Sequence, residues 1–262
     1  MVFANGGLFP NWTLGQNIAF GLRGQHFPKS EVGKRVKQAA EVVGLDELER
    51  YPGKLSPLEI LHTAWARAIV GQPKVILHED ANFVFPAAEL VKLQERIQTT
   101  MIYATHDART AMALGHRVAL MEAGVLRQCD APMAVYEKPE NGFAAGFLGT
   151  MNFLTGKLKG ALFKENGGTV ELELHSDLAG REVILGVRPE DVRPSDAGCG
   201  QAVVDAVEAT GAEVFYTLQT GGHALQVRCA ASEPLRGVGR RMAFDIDPAK
   251  VHLFDAETKE RL

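Results

Sequence analysis

Two short apolar runs in the sequence each end in side chains that can do chemistry. The run 75–77 (VIL) is followed by the acids Glu79 and Asp80, and the run 101–105 (MIYAT) is followed by His106. Unbroken apolar runs of this length predict strands of a parallel sheet that is covered on both faces. Since open α/β sheets bind ligands beyond the carboxyl ends of their strands, the acids and the imidazole are predicted to share a ligand-binding edge.

A metal site is a second interpretation of the same edge. His78, Glu79, Asp80 and His106 offer two imidazoles and two carboxylates, and His78 and Asp80 would project from one face of the strand. The set lacks a third firm ligand. An exposed strand end is therefore the favoured interpretation of His78.

The segment 54–80 (KLSPLEILHTAWARAIVGQPKVILHED) predicts a loop, a helix, a tight turn and then the first strand. Ser56 is a good N-cap residue, and Pro57 suits the first helical turn. Gly71 is placed to end the helix, and Pro73 prevents its continuation. The apolar positions that recur at helical spacing are Leu58, Leu61, Trp65, Ala68 and Ile69.

Helical patterns dominate the chain up to about residue 150, and short alternating strands dominate after it. The first part predicts helices over 13–23, 30–44, 46–51, 89–97, 108–114, 132–136 and 143–148, with a hairpin around Gly124. The second part predicts strands over 169–174, 183–187, 201–210, 212–219, 224–229 and 240–246. Many short strands with regular turns are typical of a small all-β barrel or sandwich.

Composition narrows the class of protein further. The 262 residues carry a formal net charge of −4, which argues against an extended nucleic-acid surface. No apolar run approaches the roughly 20 residues that span a bilayer. Three widely spaced cysteines fit a reducing compartment, and they have no metal-site spacing. A role at a membrane is therefore expected to depend on a partner.

The segment 54–80 resembles the signature helix and Walker B strand of an ABC transporter ATP-binding subunit of the carbohydrate-importer (maltose-type) family. That family has LSGGQ, a helix ending in ARA, then PK, an apolar strand and DE. This sequence keeps Leu55 and Ser56, the ARA of 66–68 and the PK of 73–74. It has PLE at 57–59 in place of GGQ, and its two acids are inverted.

The resemblance covers nearly the whole chain. The stretch MVFAN…LFP is similar to the family's Q-loop, with Ala4 where the family has Gln. NWTLGQNIAFGLR resembles the helical subdomain, which docks on a permease. The three stretches that start at Gly186, Val207 and Val251 resemble the transport-associated OB-like domain. The implied fold class is α/β: an incomplete P-loop ABC-ATPase domain (parallel sheet plus helical subdomain) over 1–149, with the helical subdomain at about 11–56. An all-β OB-like regulatory domain follows over 150–262.

The resemblance also implies roles for the site residues. Glu79 would bind Mg²⁺, Asp80 would act on the attacking water, and His106 would contact the γ-phosphate of ATP. Ser56 would contact the nucleotide bound by a second ATPase subunit. No G-x-x-x-x-G-K-[ST] string, the family's phosphate loop, occurs in the 262 residues. Since one lost donor in such a site costs on the order of 3 kcal/mol, we expect this chain alone to be inactive, and ATP and Mg²⁺ binding to be weakened.

Two functions from different classes follow from these observations. The first is a nucleotide-binding-type subunit of a sugar or small-solute ABC importer that retains permease docking and the regulatory barrel. Its partners would be permease subunits and a second ATPase subunit, and it would be cytoplasmic, on the inner face of the membrane. The alternative is a non-catalytic regulatory or ligand-binding protein that uses its OB-like domain.

The resemblance also predicts a consequence for folding. The first residue aligns after the family's phosphate loop, so the first strands of the sheet are expected to be missing. Such a sheet would present an apolar edge and uncovered faces. We therefore expect the first half to self-associate or depend on a partner.

Overall fold

A computed structural model describes residues 1–79, 87–174, 178, 180–196 and 198–262. The chain divides into two compact units, Met1–Gly115 and His116–Leu262. The domain boundary that we place between 149 and 150 stays a prediction. The compact units divide earlier, so the hairpin and the two short helices after it belong to the second unit.

Five α-helices and a parallel strand pair build the described part of the first unit. Thr13 caps the first helix by accepting a hydrogen bond from the backbone N–H of Gln16 at 3.2 Å, and Gly44 ends the second in a left-handed conformation. The predicted helical turn over 46–51 is wrong, since a 3₁₀ turn forms at Pro52–Lys54 instead. The helices are α1 (Leu14–Ala19, continued by a 3₁₀ turn), α2 (Lys29–Val43), α3 (Pro57–Ile69), α4 (Ala87–Ile97) and α5 (Ala108–Leu114).

The two strands of the first unit are β1 (Val75–Glu79) and β2 (Thr100–Ala104), which pair in parallel. Val2 lies on the other side of β1, where its N–H donates to the carbonyl of Leu77 at 2.8 Å. One face of the pair packs on the helices, and Ile76, Trp65 and Ile18 are among the residues of that core.

The opposite face of this sheet is exposed. Val75 and Leu77 of β1 are 47% and 46% exposed, and Ile102 of β2 is 58% exposed. The prediction that the strand is covered on both faces is therefore wrong. The expected uncovered apolar face is confirmed, because the described residues place no helix over these three side chains.

The second unit begins with a hairpin of β3 (Val118–Glu122) and β4 (Val125–Asp130), followed by α6 (Pro132–Glu137) and α7 (Gly142–Phe147). Two five-stranded sheets then form in the described part of the unit, with the strand orders β14-β8-β5-β6-β7 and β12-β11-β10-β13-β9. Their strands are β5 (Asn152–Lys159), β6 (Leu162–Glu165), β7 (Glu171–Glu173), β8 (Glu182–Val187), β9 (Val192–Ser195), β10 (Gly200–Ala209), β11 (Glu213–Thr220), β12 (His223–Ala230), β13 (Arg241–Ile246) and β14 (His252–Asp255).

Both sheets contribute to one closed apolar core. Leu154 and Leu185 from the first sheet and Leu218 and Phe244 from the second are fully buried in the same cluster. The predicted all-β architecture is confirmed. Four of its strands, β5, β6, β9 and β14, were not predicted from the sequence.

The guanidinium group of Arg188 links several backbone carbonyls in the segment that precedes β5. Its Nη1 donates hydrogen bonds to the carbonyls of Ala145, Gly149 and Thr150 at 2.9, 3.1 and 3.2 Å. Its Nη2 donates to the carbonyl of Tyr136 at 3.1 Å, and the group lies 3.9 Å from the centre of the Tyr136 ring. Burial lowers the pKa of Arg188, yet its many acceptors favour the charged form.

Candidate functional site

Glu79 and His106 lie at the same edge of the parallel sheet. Glu79 is the last residue of β1 and pairs in register with Ala104, the last residue of β2. His106 follows two residues later, and both side chains are exposed. The structure thus places these two predicted site residues at one accessible edge. Asp80 lies outside the described residues.

His78 is not an exposed strand end, so our prediction for it is wrong. It is only 3% exposed, and its ring stacks between Trp65 and Tyr103, with centroids 5.0 and 4.6 Å away. Because successive side chains of a strand alternate, His78 points into the core while Glu79 points out. Within the described ranges, no group of three His, Cys, Asp or Glu side chains could hold a metal ion.

Asp107, beside His106, begins the next helix. Its carboxylate accepts hydrogen bonds from the backbone N–H groups of Arg109 and Thr110, both at 3.2 Å, and from the Thr110 hydroxyl at 2.6 Å. The Thr110 hydroxyl contributes most to lowering the pKa of Asp107. Asp107 is therefore a fixed anion that caps the N terminus of α5.

The N terminus of α3 holds its own carboxylate. Oε2 of Glu59 accepts hydrogen bonds from the backbone N–H of Ser56 at 2.7 Å and from its hydroxyl at 2.8 Å. The Ser56 hydroxyl in turn accepts from the N–H of Glu59 at 3.3 Å. This reciprocal pair is a capping box, and Pro57 fills the first helical position.

Arg50 completes this arrangement by donating to Oε1 of Glu59 at 2.5 Å. The backbone N–H and hydroxyl of Ser56, followed by Arg50, lower the pKa of Glu59 to about 2. Glu59 is therefore negatively charged throughout the physiological range. The Ser56 hydroxyl, which the resemblance assigns to nucleotide contact, is engaged by this carboxylate.

Arg67 has a structural role that sequence reasoning missed. Its Nη1 and Nη2 donate to the carbonyls of Gly7 and Gly6, both at 2.6 Å. Gly6 has a φ of +74°, and a Cβ there would lie 2.6 Å from a methyl group of Ile60. Arg67 thus fixes the turn that follows Ala4. The only available signal was the match of Arg67 to the ARA motif, since the residues it holds lie 60 positions away.

An aromatic group surrounds the start of α1. The rings of Phe9 and Trp12 lie 4.4 Å apart, and those of Phe9 and Phe20 lie 4.8 Å apart. The guanidinium of Arg23 lies 5.0 Å from the Trp12 ring and 5.1 Å from the Phe20 ring. The three rings are partly exposed and Arg23 is exposed, so together they form an amphipathic surface.

Family models match the second unit in two places. The MalK OB fold domain matches residues 150–192, and the TOBE domain matches residues 185–254. The fold of the unit agrees with both matches.

Curated proteins match almost the entire chain. The trehalose/maltose import ATP-binding protein MalK of Thermococcus litoralis is 39% identical over 98% of this chain and 76% of its own length. The oligosaccharides import ATP-binding protein MsmX of Bacillus subtilis is 36% identical over 100% of this chain and 78% of its own. The sn-glycerol-3-phosphate import ATP-binding protein UgpC of Escherichia coli is 37% identical with the same two coverages.

Identity at this level over three quarters of the relatives' length defines the class as ATP-binding proteins of ABC transporters. The chain belongs to the carbohydrate-importer, maltose-type family within that class. In the described part of the chain, no helix is both long and apolar enough to cross a membrane.

Proposed function

We propose that this chain is the nucleotide-binding-type subunit of an ABC importer for a sugar or another small solute. It keeps a surface for permease docking and a C-terminal regulatory unit, and it does not hydrolyse ATP on its own. The proposed lack of ATP hydrolysis is supported by the N terminus of α3, which the carboxylate of Glu59 already occupies.

A helix N terminus binds a phosphate because its first N–H groups are free and the helix dipole favours negative charge. Here Pro57 has no N–H, and the Glu59 carboxylate binds the N–H of Ser56. A phosphate would meet the Glu59 charge at this position and would have to displace it. This arrangement supports the proposal that α3 does not bind the nucleotide held by a second subunit.

Isothermal titration of the full chain with ATP and Mg²⁺, together with a phosphate-release assay, tests the catalytic part. We expect neither saturable binding nor turnover. Saturable Mg²⁺-dependent binding that Glu79→Gln abolishes and Glu89→Gln preserves would contradict the proposal. Glu89 is a matched control because it is an exposed acid in the first turn of α4 that pairs with Lys92 at 3.0 Å.

The docking part of the proposal is supported by the aromatic surface of Phe9, Trp12, Phe20 and Arg23. Partly exposed aromatic rings combined with an arginine have the composition of interface hot spots. The surface also lies in the stretch that resembles the family's permease-docking subdomain. We propose that a cytoplasmic segment of a permease binds here and holds the chain, paired with a second ATPase subunit, at the inner face of the membrane.

Site-specific photocrosslinking in the source cell tests this docking. A benzoylphenylalanine at position 12 is expected to crosslink to an integral membrane protein. The same residue at position 51 is the control, because Tyr51 is an exposed aromatic outside the cluster. Equal crosslinking from both positions, or crosslinks to water-soluble proteins alone, would contradict docking at this surface.

A further inference from the structure

A cavity of about 510 Å³ lies within the second unit. It is open to solvent on one side and is lined by the β3–β4 hairpin, the start of α7, the sheet that contains β5, β8 and β14, and the C-terminal segment after β14. The C-terminal segment is held in place by a hydrogen bond from the N–H of Gly142 to the carbonyl of Lys259 at 2.9 Å. This volume is within the range of small-molecule sites.

The cavity has an aromatic floor. Phe153 and Phe254 meet edge to face with ring centroids 6.1 Å apart, and Phe143 contributes a third ring. Phe254 is fully buried, whereas Phe143 and Phe153 are partly exposed. Such a floor offers an apolar surface to the flat face of a ligand ring.

The rim of the cavity carries two cations and two anions. Glu122 and Arg127 lie on one side, with Nε of Arg127 2.9 Å from Oε2 of Glu122. That contact lacks the alignment of a hydrogen bond, and within the described residues the buried Arg127 Nε–H has no acceptor. Lys259 and Glu260 are exposed on the other side. The rim therefore has no net formal charge, and its Arg127 Nε–H is ion-paired with Glu122 but has no aligned acceptor among the described residues.

We propose that this cavity is a binding site for an uncharged sugar ring, a mono- or disaccharide. The apolar face of the ring would lie on the partly exposed rings of Phe143 and Phe153, which the buried Phe254 supports from below. Its hydroxyl groups, which both donate and accept hydrogen bonds, would donate to the Glu122 and Glu260 carboxylates and accept from Arg127. A rim with balanced charge disfavours an anion or a cation as the ligand. The proposal rests on the second unit alone and is independent of permease docking.

Saturation-transfer NMR and calorimetry on the full chain, with maltose and glucose as probes, test the site. Both sugars are expected to bind saturably. Sorbitol is the matched control ligand, since it has similar hydroxyl groups but no ring face, and it is expected to bind at least roughly tenfold more weakly. Absence of binding by both sugars, or equal binding of sorbitol, would overturn the proposal.

Gly142 supplies a matched pair of variants. A Cβ there would be 3.7 Å from Cβ of Lys259 and 4.0 Å from the Phe153 ring, which are ordinary contacts. Gly142→Ala should therefore leave binding unchanged, while the longer side chain of Gly142→Leu should fill the cavity and weaken maltose binding at least roughly tenfold. Unchanged binding by Gly142→Leu would place the sugar elsewhere and overturn the proposal.

If Gly142→Leu lowers the melting temperature by more than Gly142→Ala does, Arg127→Gln is the second variant. It removes the guanidinium group at the rim, together with its ion pair to Glu122, and leaves the aromatic floor intact. Loss of maltose binding with an unchanged circular dichroism spectrum would support the site. Retention of wild-type affinity by Arg127→Gln would contradict the assigned contact.

Discussion

The two compact units bury their sheets to different extents. In the first, the face of β1 and β2 that carries Leu77 and Ile102 is exposed, while in the second two sheets cover each other's apolar faces. Both units have apolar strands, so strand composition does not distinguish them. The difference shows that a strand's burial depends on a second layer of structure, which the described residues supply only in the second unit.

The largest loss of stability is expected from a substitution of Arg188, because this one side chain donates hydrogen bonds to four backbone carbonyls of the second unit. Arg188→Met should remove four hydrogen bonds and leave buried carbonyls without a donor, lowering the free energy of unfolding by about 3 kcal/mol or more. Urea unfolding followed by circular dichroism measures the change, and hydrogen exchange assigns it to residues 116–262.

Arg193→Lys is the control for this prediction, because Arg193 lies on the exposed side of β9 nearby. Its stability should stay within about 0.5 kcal/mol of wild type. If Arg188→Met is equally mild, the stability of the second unit does not depend on this guanidinium group.

A pH-dependent loss of stability in the second unit, similar in size to the loss from Arg188→Met, is expected from His252. Burial, with the nearby charges of Arg261 and Arg188, lowers the pKa of His252 to about 4 from its ordinary 6.5. Above pH 6.5 the ring is neutral in both the folded and the unfolded state, so its protonation does not affect the free energy of unfolding. As the pH falls from 6.5 towards 4, only the unfolded state gains a proton, so stability should fall by up to about 3 kcal/mol.

Urea unfolding between pH 7.5 and 4 measures this dependence. His252→Gln should flatten the slope across that window, whereas His26→Gln should not, because His26 is exposed. A slope that is unchanged in His252→Gln would show that other groups carry the acid sensitivity.

The capping box of α3 gives a smaller effect in the first unit. Ser56→Ala removes the acceptor for the N–H of Glu59 and the hydroxyl donor to its carboxylate. The expected loss is about 1 kcal/mol, measured by urea unfolding monitored through the fluorescence of Trp12 and Trp65, which both lie in the first unit. Loss of the box should also raise the pKa of Glu59, which NMR titration of its carboxyl carbon would detect. An unchanged pKa would mean that Ser56 does not hold this charge.

The smallest effect on stability, but a large one on association, is expected on the open sheet face. The double variant Leu77→Thr and Ile102→Thr keeps β-forming residues and removes apolar area from the surface. The monomer fraction in size-exclusion chromatography with light scattering should rise, while the free energy of unfolding changes by no more than about 0.5 kcal/mol. Val203→Thr, at an exposed position of β10, should leave the monomer fraction unchanged.

Much of the helical part was predictable because its signals are local. Ser56 caps α3 and Pro57 starts it, as the sequence predicts, since both act within one helical turn. The edge shared by Glu79 and His106 was also predictable, because each follows an apolar strand. The strand β14 was not predicted, as four residues that pair with distant β8 carry little local signal.

The cavity beside Gly142 and the aromatic stack of His78 also lay beyond sequence reasoning. The residues that line the cavity are scattered along the chain between Glu122 and Glu260, and no periodicity relates positions so far apart. His78 was predicted to be an exposed strand end because the metal set around it lacks a third firm ligand. Trp65 and Tyr103, from other elements, provide the buried environment.

By itself, the sequence determined the family, the order of helical and β-rich parts, and the placing of Glu79 and His106 at the carboxyl ends of two neighbouring strands. Local hydrogen bonding and side-chain periodicity are properties of neighbouring residues, so they can be read from the chain. Only the tertiary structure decided which face of β1 is covered, that Glu59 engages Ser56 and Arg50 together, and that Arg188 joins distant carbonyls. Burial and charge pairing depend on residues that meet in space, and only the fold brings them together.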